Sequence, residues 1–170
     1  MEKILLPVDG SSDSLYAVRQ AVREFFKNPR VEIHLLNVRR PLSSHVGRFV
    51  SRSNLEDFHR EEAAKALKPC GELLAKYGVP YAAHIGSGDK ATVIVATAKR
   101  LRCSQILIGT ARKNALLRAL EGSTTNRVLE LTSVPVQIVA GDKMPPLMRY
   151  GLPAGVGAAL TALLMLSAAD

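Results

Sequence analysis

Short apolar segments alternate with longer segments whose apolar residues recur at helical spacing, and this alternation limits the possible folds more than any other feature. An uninterrupted apolar run suits a strand that is buried on both faces, as in a parallel sheet. Helices between such strands supply the crossover connections that parallel pairing requires. Strands are predicted at residues 3–8, 31–38, 81–85, 105–108 and 134–139.

Amphipathic segments fill the intervals between these strands. Ser11 or Ser12 can cap the first helix, and Ser53 with Glu56 matches a capping box at the start of the second. The predicted helices begin near residue 13 and at residues 53, 91 and 123. The pattern therefore predicts an α/β fold with a mainly parallel sheet.

Prolines and glycines mark where elements end or change. Pro69 lies inside the second helix, where it should kink or interrupt it. Residues 39–52 read as a loop, and residues 86–89 read as a turn followed by a helix cap. Pro135 removes one backbone donor from the last strand, which places that strand at an edge of the sheet.

Composition and charge indicate what kind of protein this is and which partners it could bind. The chain has 170 residues, of which 47% are hydrophobic and 22% charged, which suits one folded domain. The net charge of +8 would attract a nucleotide, an anionic lipid or a nucleic acid. The basic residues are scattered and are not interleaved with aromatic side chains, so nucleic acid is not an expected partner.

Neither the cysteines nor the histidines have the spacing of a metal site. Cys70 and Cys103 are expected to be buried, inert thiols, and the four histidines are expected to serve packing or surface roles. The first residues form a strand and lack the plan of a signal peptide, so we expect the folded part to be cytoplasmic.

Two glycine turns follow predicted strands at their carboxyl ends. Gly10 follows Asp9 after the first strand, and Gly109 follows the fourth. Ligands of open α/β sheets bind beyond the carboxyl ends of the strands, where the strand order reverses. Gly122 and Ser123 open a further helix, whose N-terminal amides and hydroxyls can bind phosphate.

These segments resemble the universal stress protein family over about residues 3–140. The likeness is carried by KILLPVDGSSDSLYAV, the turn containing Gly88, ILIGT, EGSTTNRVL and VPVQIV. The family fingerprint is glycine, two residues, glycine, nine residues, glycine, then serine or threonine. Gly109, Gly122 and Ser123 fit this fingerprint, whereas Arg112 replaces its middle glycine.

The resemblance implies a Rossmann-like three-layer sandwich with a five-stranded sheet of order 3-2-1-4-5. It also implies a site for ATP or another adenine nucleotide, with or without Mg²⁺. Adenine and ribose would contact Pro7, Val8, Asp9 and Val38, and the phosphates would lie along Gly109, Arg112, Gly122, Ser123, Thr124 and Thr125. The chemistry of these side chains agrees with those roles. The Asp9 carboxylate can accept hydrogen bonds from ribose hydroxyls, and threonine hydroxyls can donate hydrogen bonds to phosphate oxygens.

Three of these residues have alternative interpretations. The Arg112 side chain could fill the phosphate space, or it could bind a phosphate together with Lys113 and Arg118. Asp9 and Ser123 could serve only as helix caps, although capping and ligand contact are compatible.

Two functions are consistent with the sequence. The first is an adenine-nucleotide-binding regulatory protein, a homodimeric switch that pairs through residues 134–139. The second is a nucleotide-independent dimeric interaction protein tethered to a membrane or a membrane protein by its C-terminus. No nucleophile–base arrangement stands out, so we expect no enzyme, beyond slow incidental hydrolysis of bound ATP.

The composition changes after the predicted domain, residues 1–142. Residues 143–150 read as a linker, and residues 151–169 contain no charge. A helix of that length would span about 28 Å, close to the thickness of a hydrocarbon core. The apolar tail, 151–170, could be a membrane anchor, a helix docked on the domain or a partner, or a disordered segment. An anchor would hold the domain at the cytoplasmic face, since Lys143 and Arg149 precede the apolar run.

Overall fold

The computed structural model describes residues 2–39, 52–110 and 124–140, with residues 52–57 described by their backbone alone. Strands and helices alternate through these residues, as the sequence predicts. In chain order they are β1 (Lys3–Pro7), α1 (Ser12–Lys27), β2 (Glu32–Arg39), α2 (Arg52–Lys76), β3 (Tyr81–Ser87), α3 (Lys90–Leu101), β4 (Gln105–Thr110), α4 (Thr124–Leu131) and β5 (Val136–Ala140).

The sheet has five strands in the order β3-β2-β1-β4-β5, and every neighbouring pair is parallel. The predicted fold class and strand order are therefore confirmed. The chain winds outward from β1 to β3 and then crosses to the other side of β1 to form β4. The strand order thus reverses between β1 and β4, and the turns that leave these two strands diverge there.

Two aliphatic cores cover the two faces of the sheet. Ile4, Leu6 and Val8 of the first strand segment pack against α1 and α2, whereas Leu5 packs with residues of α3 and α4. Alternate residues of one strand point to opposite faces, so β1 must be apolar throughout to serve both cores. This explains the unbroken apolar runs in the sequence.

β3 is longer than predicted. Gly86 and Ser87 pair with Val38 and Arg39 of β2, so the predicted turn at residues 86–89 begins too early. Gly86 belongs in the strand because a Cβ there would lie 2.5 Å from Val93 Cγ1 on α3. Gly86 therefore reflects close packing of α3 on the strand rather than a turn. The turn itself lies at Gly88, where φ is +140°.

α2 continues through Pro69, so the predicted interruption is wrong. Pro69 lies on the solvent side of the helix, whereas Ala66, Cys70 and Leu74 are buried on the other side. The carbonyl that loses its intrahelical donor therefore faces water, and packing holds the helix together. α2 begins at Arg52, so Ser53 lies inside the helix rather than at its N-cap. The side-chain contacts of the predicted capping box lie outside the described residues.

β5 begins at Val136, two residues later than predicted, and it lies at the edge of the sheet as Pro135 indicated. Pro135 precedes the strand and still contributes its carbonyl, which accepts from Ile106 N at 2.9 Å. Proline can accept but cannot donate, so this position suits it.

Within the described residues, no helix combines the length and apolar character needed to cross a membrane. The predicted linker and apolar tail, and most of the predicted loop at 39–52, lie outside the described residues.

Candidate functional site

An open cleft lies at the carboxyl ends of β1, β2 and β4, where the strand order reverses. Its volume is about 170 Å³. Every predicted site residue that the structure describes lines it: Pro7, Val8, Asp9, Val38, Gly109, Thr124 and Thr125. Arg112, Gly122 and Ser123 lie outside the described residues, as do Lys113 and Arg118.

The first wall of the cleft is the turn between β1 and α1. Val8 N donates to Leu36 O at 2.8 Å, which continues the pairing of β1 with β2 by one residue. The chain then reverses at Gly10, where φ is +83°. A Cβ there would lie 3.1 Å from Ala66 Cα, so a glycine suits the position for both backbone and space.

The Asp9 carboxylate is fixed by hydrogen bonds to one of its two oxygens. Oδ1 accepts from Ser11 N at 3.0 Å, from Ser11 Oγ at 2.6 Å and from Ser14 Oγ at 3.0 Å. No hydrogen bond from a described residue reaches Oδ2. Asp9 therefore lines the cleft with one carboxylate oxygen that no described residue engages, and the orientation of the carboxylate is already set.

Asp9 also keeps its charge. Partial shielding from water would by itself raise the pKa of Asp9, but the hydrogen bonds from Ser11 and Ser14 and the charge of Lys90 lower it below its usual value. Ser11 is the N-cap residue of α1, but its side chain makes no capping bond and its hydroxyl donates to Asp9. The predicted serine cap thus serves the carboxylate instead.

Apolar side chains form the inner part of the cleft. They come from both the sheet and α3: Leu36, Val38, Ile94 and Ile108. Leu36 and Ile94 are almost fully buried, so these walls are fixed by the core behind them. An apolar slot beside a carboxylate suits an apolar ring that carries a hydroxylated sugar.

Gly109 brings the start of α1 against β4. A Cβ on Gly109 would overlap the Asp13 carbonyl oxygen and lie 3.3 Å from Ser14 N. The sequence predicted a turn at Gly109 after a strand ending at residue 108. That prediction is wrong, because the strand continues to Thr110 and Gly109 pairs with Val139. Close packing against α1 explains the glycine. Gly109 thereby brings β4 to the same cleft as Asp9.

The start of α4 forms the remaining described wall, through Thr124 and Thr125. Arg127, one turn further along α4, donates to Asp89 Oδ2 at 2.7 Å. Asp89 is the N-cap of α3, and its Oδ1 accepts from Thr92 N at 3.1 Å. One carboxylate therefore links the first turns of α3 and α4, both of which border the cleft.

Sequence reasoning missed several of the lining residues, among them Lys90, Asp13 and Ser14. Lys90 is the first residue of α3 and directly follows the cap Asp89. A signal was available, because a cation in the first turn opposes the helix dipole and is therefore unexpected there.

The remaining titratable candidates do not line the cleft. His34 Nδ1 and His84 Nε2 are 3.1 Å apart on neighbouring strands, and burial lowers the pKa of both rings. Cys70 and Cys103 are free and buried as predicted, and burial raises the pKa of Cys70 to about 11. Within the described residues, no group of three or more His, Cys, Asp or Glu side chains could hold a metal ion.

Comparison with known proteins gives a family match over residues 1–140, to the model described as the universal stress protein family. Universal stress protein MJ0531 of Methanocaldococcus jannaschii is 31% identical over 144 residues, which cover 84% of each chain. The structure of hypothetical protein MJ0577 is 26% identical and has a TM-score of 0.66. The match covers 84% of this chain and 98% of that one.

Two similar structures contain a nucleotide. One is a universal stress protein in complex with cAMP, with a TM-score of 0.59 and 16% identity, matched over 81% of this chain and 95% of that one. The other is a universal stress protein family protein from Arabidopsis thaliana, At3g01520, with AMP bound. Its TM-score is 0.59 at 18% identity, over 84% of this chain and 93% of that one. At these identities the likeness shows the fold alone.

Gly109→Ala should destabilise the domain by about 3 kcal/mol, because the added Cβ meets helix backbone that cannot rotate away. Gly78→Ala is the matched control. Gly78 has open space around its Cβ position but a φ of +66°, so alanine there should cost only roughly 1 kcal/mol. The free energy of unfolding in urea measures both, and equal losses would contradict the packing role of Gly109.

Proposed function

The chain belongs to the universal stress protein family, and we propose that it binds ATP or another adenine nucleotide in the cleft and acts as a homodimeric regulatory switch. The observation that carries the proposal is the Asp9 carboxylate, which is oriented by Ser11 and Ser14 and whose Oδ2 accepts no hydrogen bond from a described residue.

Asp9 is suited to bind the ribose. An ionised carboxylate oxygen accepts hydrogen bonds from hydroxyl groups, and charge-assisted bonds of this kind are stronger than neutral ones. Because Oδ1 is already held by three donors, binding a sugar through Oδ2 would cost little further ordering of the side chain. The lowered pKa of Asp9 keeps this acceptor ionised at neutral pH.

The apolar slot is suited to the adenine ring. Val38 and Leu36 line it from β2, and Ile94 lines it from α3. The cleft, at about 170 Å³, is smaller than the roughly 300–1,000 Å³ of typical ligand pockets. It would therefore enclose the nucleoside part of the ligand and leave the phosphates toward α4.

The phosphates would lie at the start of α4. Thr124 and Thr125 supply hydroxyls, and the N-terminus of a helix favours anions. We assign Arg112, Gly122 and Ser123 to the same group from the sequence. The cAMP and AMP complexes of similar proteins support an adenine nucleotide as the ligand class.

We propose a binding function rather than an enzymatic one. A general base works best when its pKa lies near the working pH, whereas the pKa of Asp9 is lowered from an already acidic value. Ser11 and Ser14 donate their hydroxyl protons to the same carboxylate, so their position serves to hold Asp9. Hydrolysis of bound ATP would then be slow and incidental.

Nucleotide binding in the cleft could affect β5, at the edge of the sheet, because β4 contacts both. Ile108 lines the cleft and pairs with Ile138 of β5, and Gly109 pairs with Val139. β5 is an edge strand, whose outer backbone groups can pair with another chain. We propose that two copies of the chain pair there, so that the cleft and the dimer contact share β4.

Asp9→Asn should weaken binding of ATP and AMP about tenfold to a hundredfold, because the amide keeps the acceptor for Ser11 but replaces the ribose acceptor with a donor. Asp13→Asn is the matched control: it removes the same charge from the cleft wall, and affinity for an anion should hold or rise. Calorimetric titration measures both. No heat from the unaltered chain at millimolar nucleotide would refute nucleotide binding.

If the chain forms this dimer, its mass in solution should be twice the 18.4 kDa of one chain. Gln137→Lys on β5 should shift the mass to that of one chain, because symmetry would bring the two new charges together. Gln105→Lys is the control, since it loses the same 2.8 Å hydrogen bond but lies on β4, inside the sheet. Light scattering gives the mass, and a single-chain mass for the unaltered protein would contradict the dimer.

We also propose that the uncharged segment 151–169 attaches the domain to a membrane, a role that does not require nucleotide. The full chain should then sediment with lipid vesicles, whereas a chain ending at Asp142 should stay in the supernatant. If both remain in the supernatant without detergent, the tail is not an anchor.

A further inference from the structure

Lys90 is a half-buried cation that lines the cleft without a partner among the described residues. It borders the cleft together with Asp9 and Thr124, and no hydrogen bond or ion pair joins it to a described side chain. Lysine side chains usually extend into water or pair with a carboxylate, so an unpaired ammonium in a cleft is unusual.

The position of Lys90 in α3 is electrostatically unfavourable. It is the first residue of the helix, where the exposed amides already carry partial positive charge. The neighbouring carboxylate does not compensate for it, because Asp89 Oδ1 accepts from Thr92 and Oδ2 accepts from Arg127 at 2.7 Å. A residue that opposes local stability is a candidate for a role in function.

The charges around Lys90 explain what it could do. Asp9 and Asp13 also line the cleft, and Lys90 is the one cationic side chain among the described lining residues, so it offsets one of these two negative charges and reduces the repulsion of phosphate. Lys90 is close enough to Asp9 to contribute to the lowering of its pKa. It nevertheless forms no ion pair with Asp9, which leaves the ammonium able to bind another anion.

We propose that Lys90 binds a phosphate oxygen of the bound nucleotide and makes the cleft select adenine nucleotides over uncharged adenosine. This inference rests on the proposed function, since it assigns the selectivity of that same site. The ammonium offsets one of the two carboxylate charges of the wall and complements the hydroxyls of Thr124 and Thr125.

Lys90→Gln in the full chain tests the assignment, with AMP, ATP and adenosine as the titrated ligands. The affinity for AMP and ATP should fall about tenfold to a hundredfold, whereas the affinity for adenosine should stay within about twofold. Lys90→Arg should retain most of the preference because it retains the charge. Raising the salt concentration should weaken AMP binding by the unaltered chain more than by Lys90→Gln.

Lys99→Gln is the matched control, because Lys99 is exposed in the last turn of the same helix. It should leave all three affinities unchanged. The thermal midpoint of Lys90→Gln should equal or exceed that of the unaltered chain, since a cation is removed from the helix N-terminus. A loss of nucleotide affinity together with unchanged stability would show that Lys90 acts on the ligand.

The outcomes separate this inference from the proposed function. If Lys90→Gln loses no affinity, or loses equal affinity for adenosine and AMP, Lys90 does not select for phosphate, while nucleotide binding itself stands. If the unaltered chain binds neither adenosine nor any adenine nucleotide, the proposed function fails and the selectivity of Lys90 fails with it.

Discussion

The close approach of β4 to the start of α1 is the constraint on which the rest of the site depends. Gly109 lacks a side chain where the Asp13 carbonyl packs, so the turn after β1 and the end of β4 meet at one point. Any Cβ there would push α1 away from the sheet and take Ser11 and Ser14 with it. The orientation of the Asp9 carboxylate therefore depends on a contact made three strands later in the sequence.

The cleft places charges of both signs side by side, and their arrangement favours a ligand that has both a neutral polar part and an anionic part. Asp9 is held by donors on Oδ1, and Oδ2 accepts no hydrogen bond from the part of the chain that the structure describes, which suits hydroxyl groups. Lys90 and the first residues of α4 lie on the same cleft and suit anions. A purely anionic ligand would meet the repulsion of Asp9 and Asp13, and a neutral one would leave Lys90 unpaired.

The sequence predicts most of the fold because its signals are local. Buried strands, crossover helices and the edge position of β5 follow from apolar runs and from Pro135. The errors arise where a distant contact overrides the local signal: Val93 makes Gly86 a strand residue, and packing of the opposite face carries α2 through Pro69. Lys90 carried a local signal, a cation at the start of a helix, but only the assembled cleft shows that its charge has no partner among the described residues.

The ion pair between Asp89 and Arg127 illustrates how a weak contact can still matter to this site. Both side chains are largely exposed, so the pair contributes little to stability. Its bond length of 2.7 Å and the capping bond from Thr92 nevertheless fix the first turn of α3 against the first turn of α4. Because Lys90 lies on one of these turns and Thr124 on the other, the pair sets the distance between an ammonium and a hydroxyl that would share one phosphate. The effect of this pair should therefore be found in ligand affinity, through preorganisation, rather than in the free energy of unfolding.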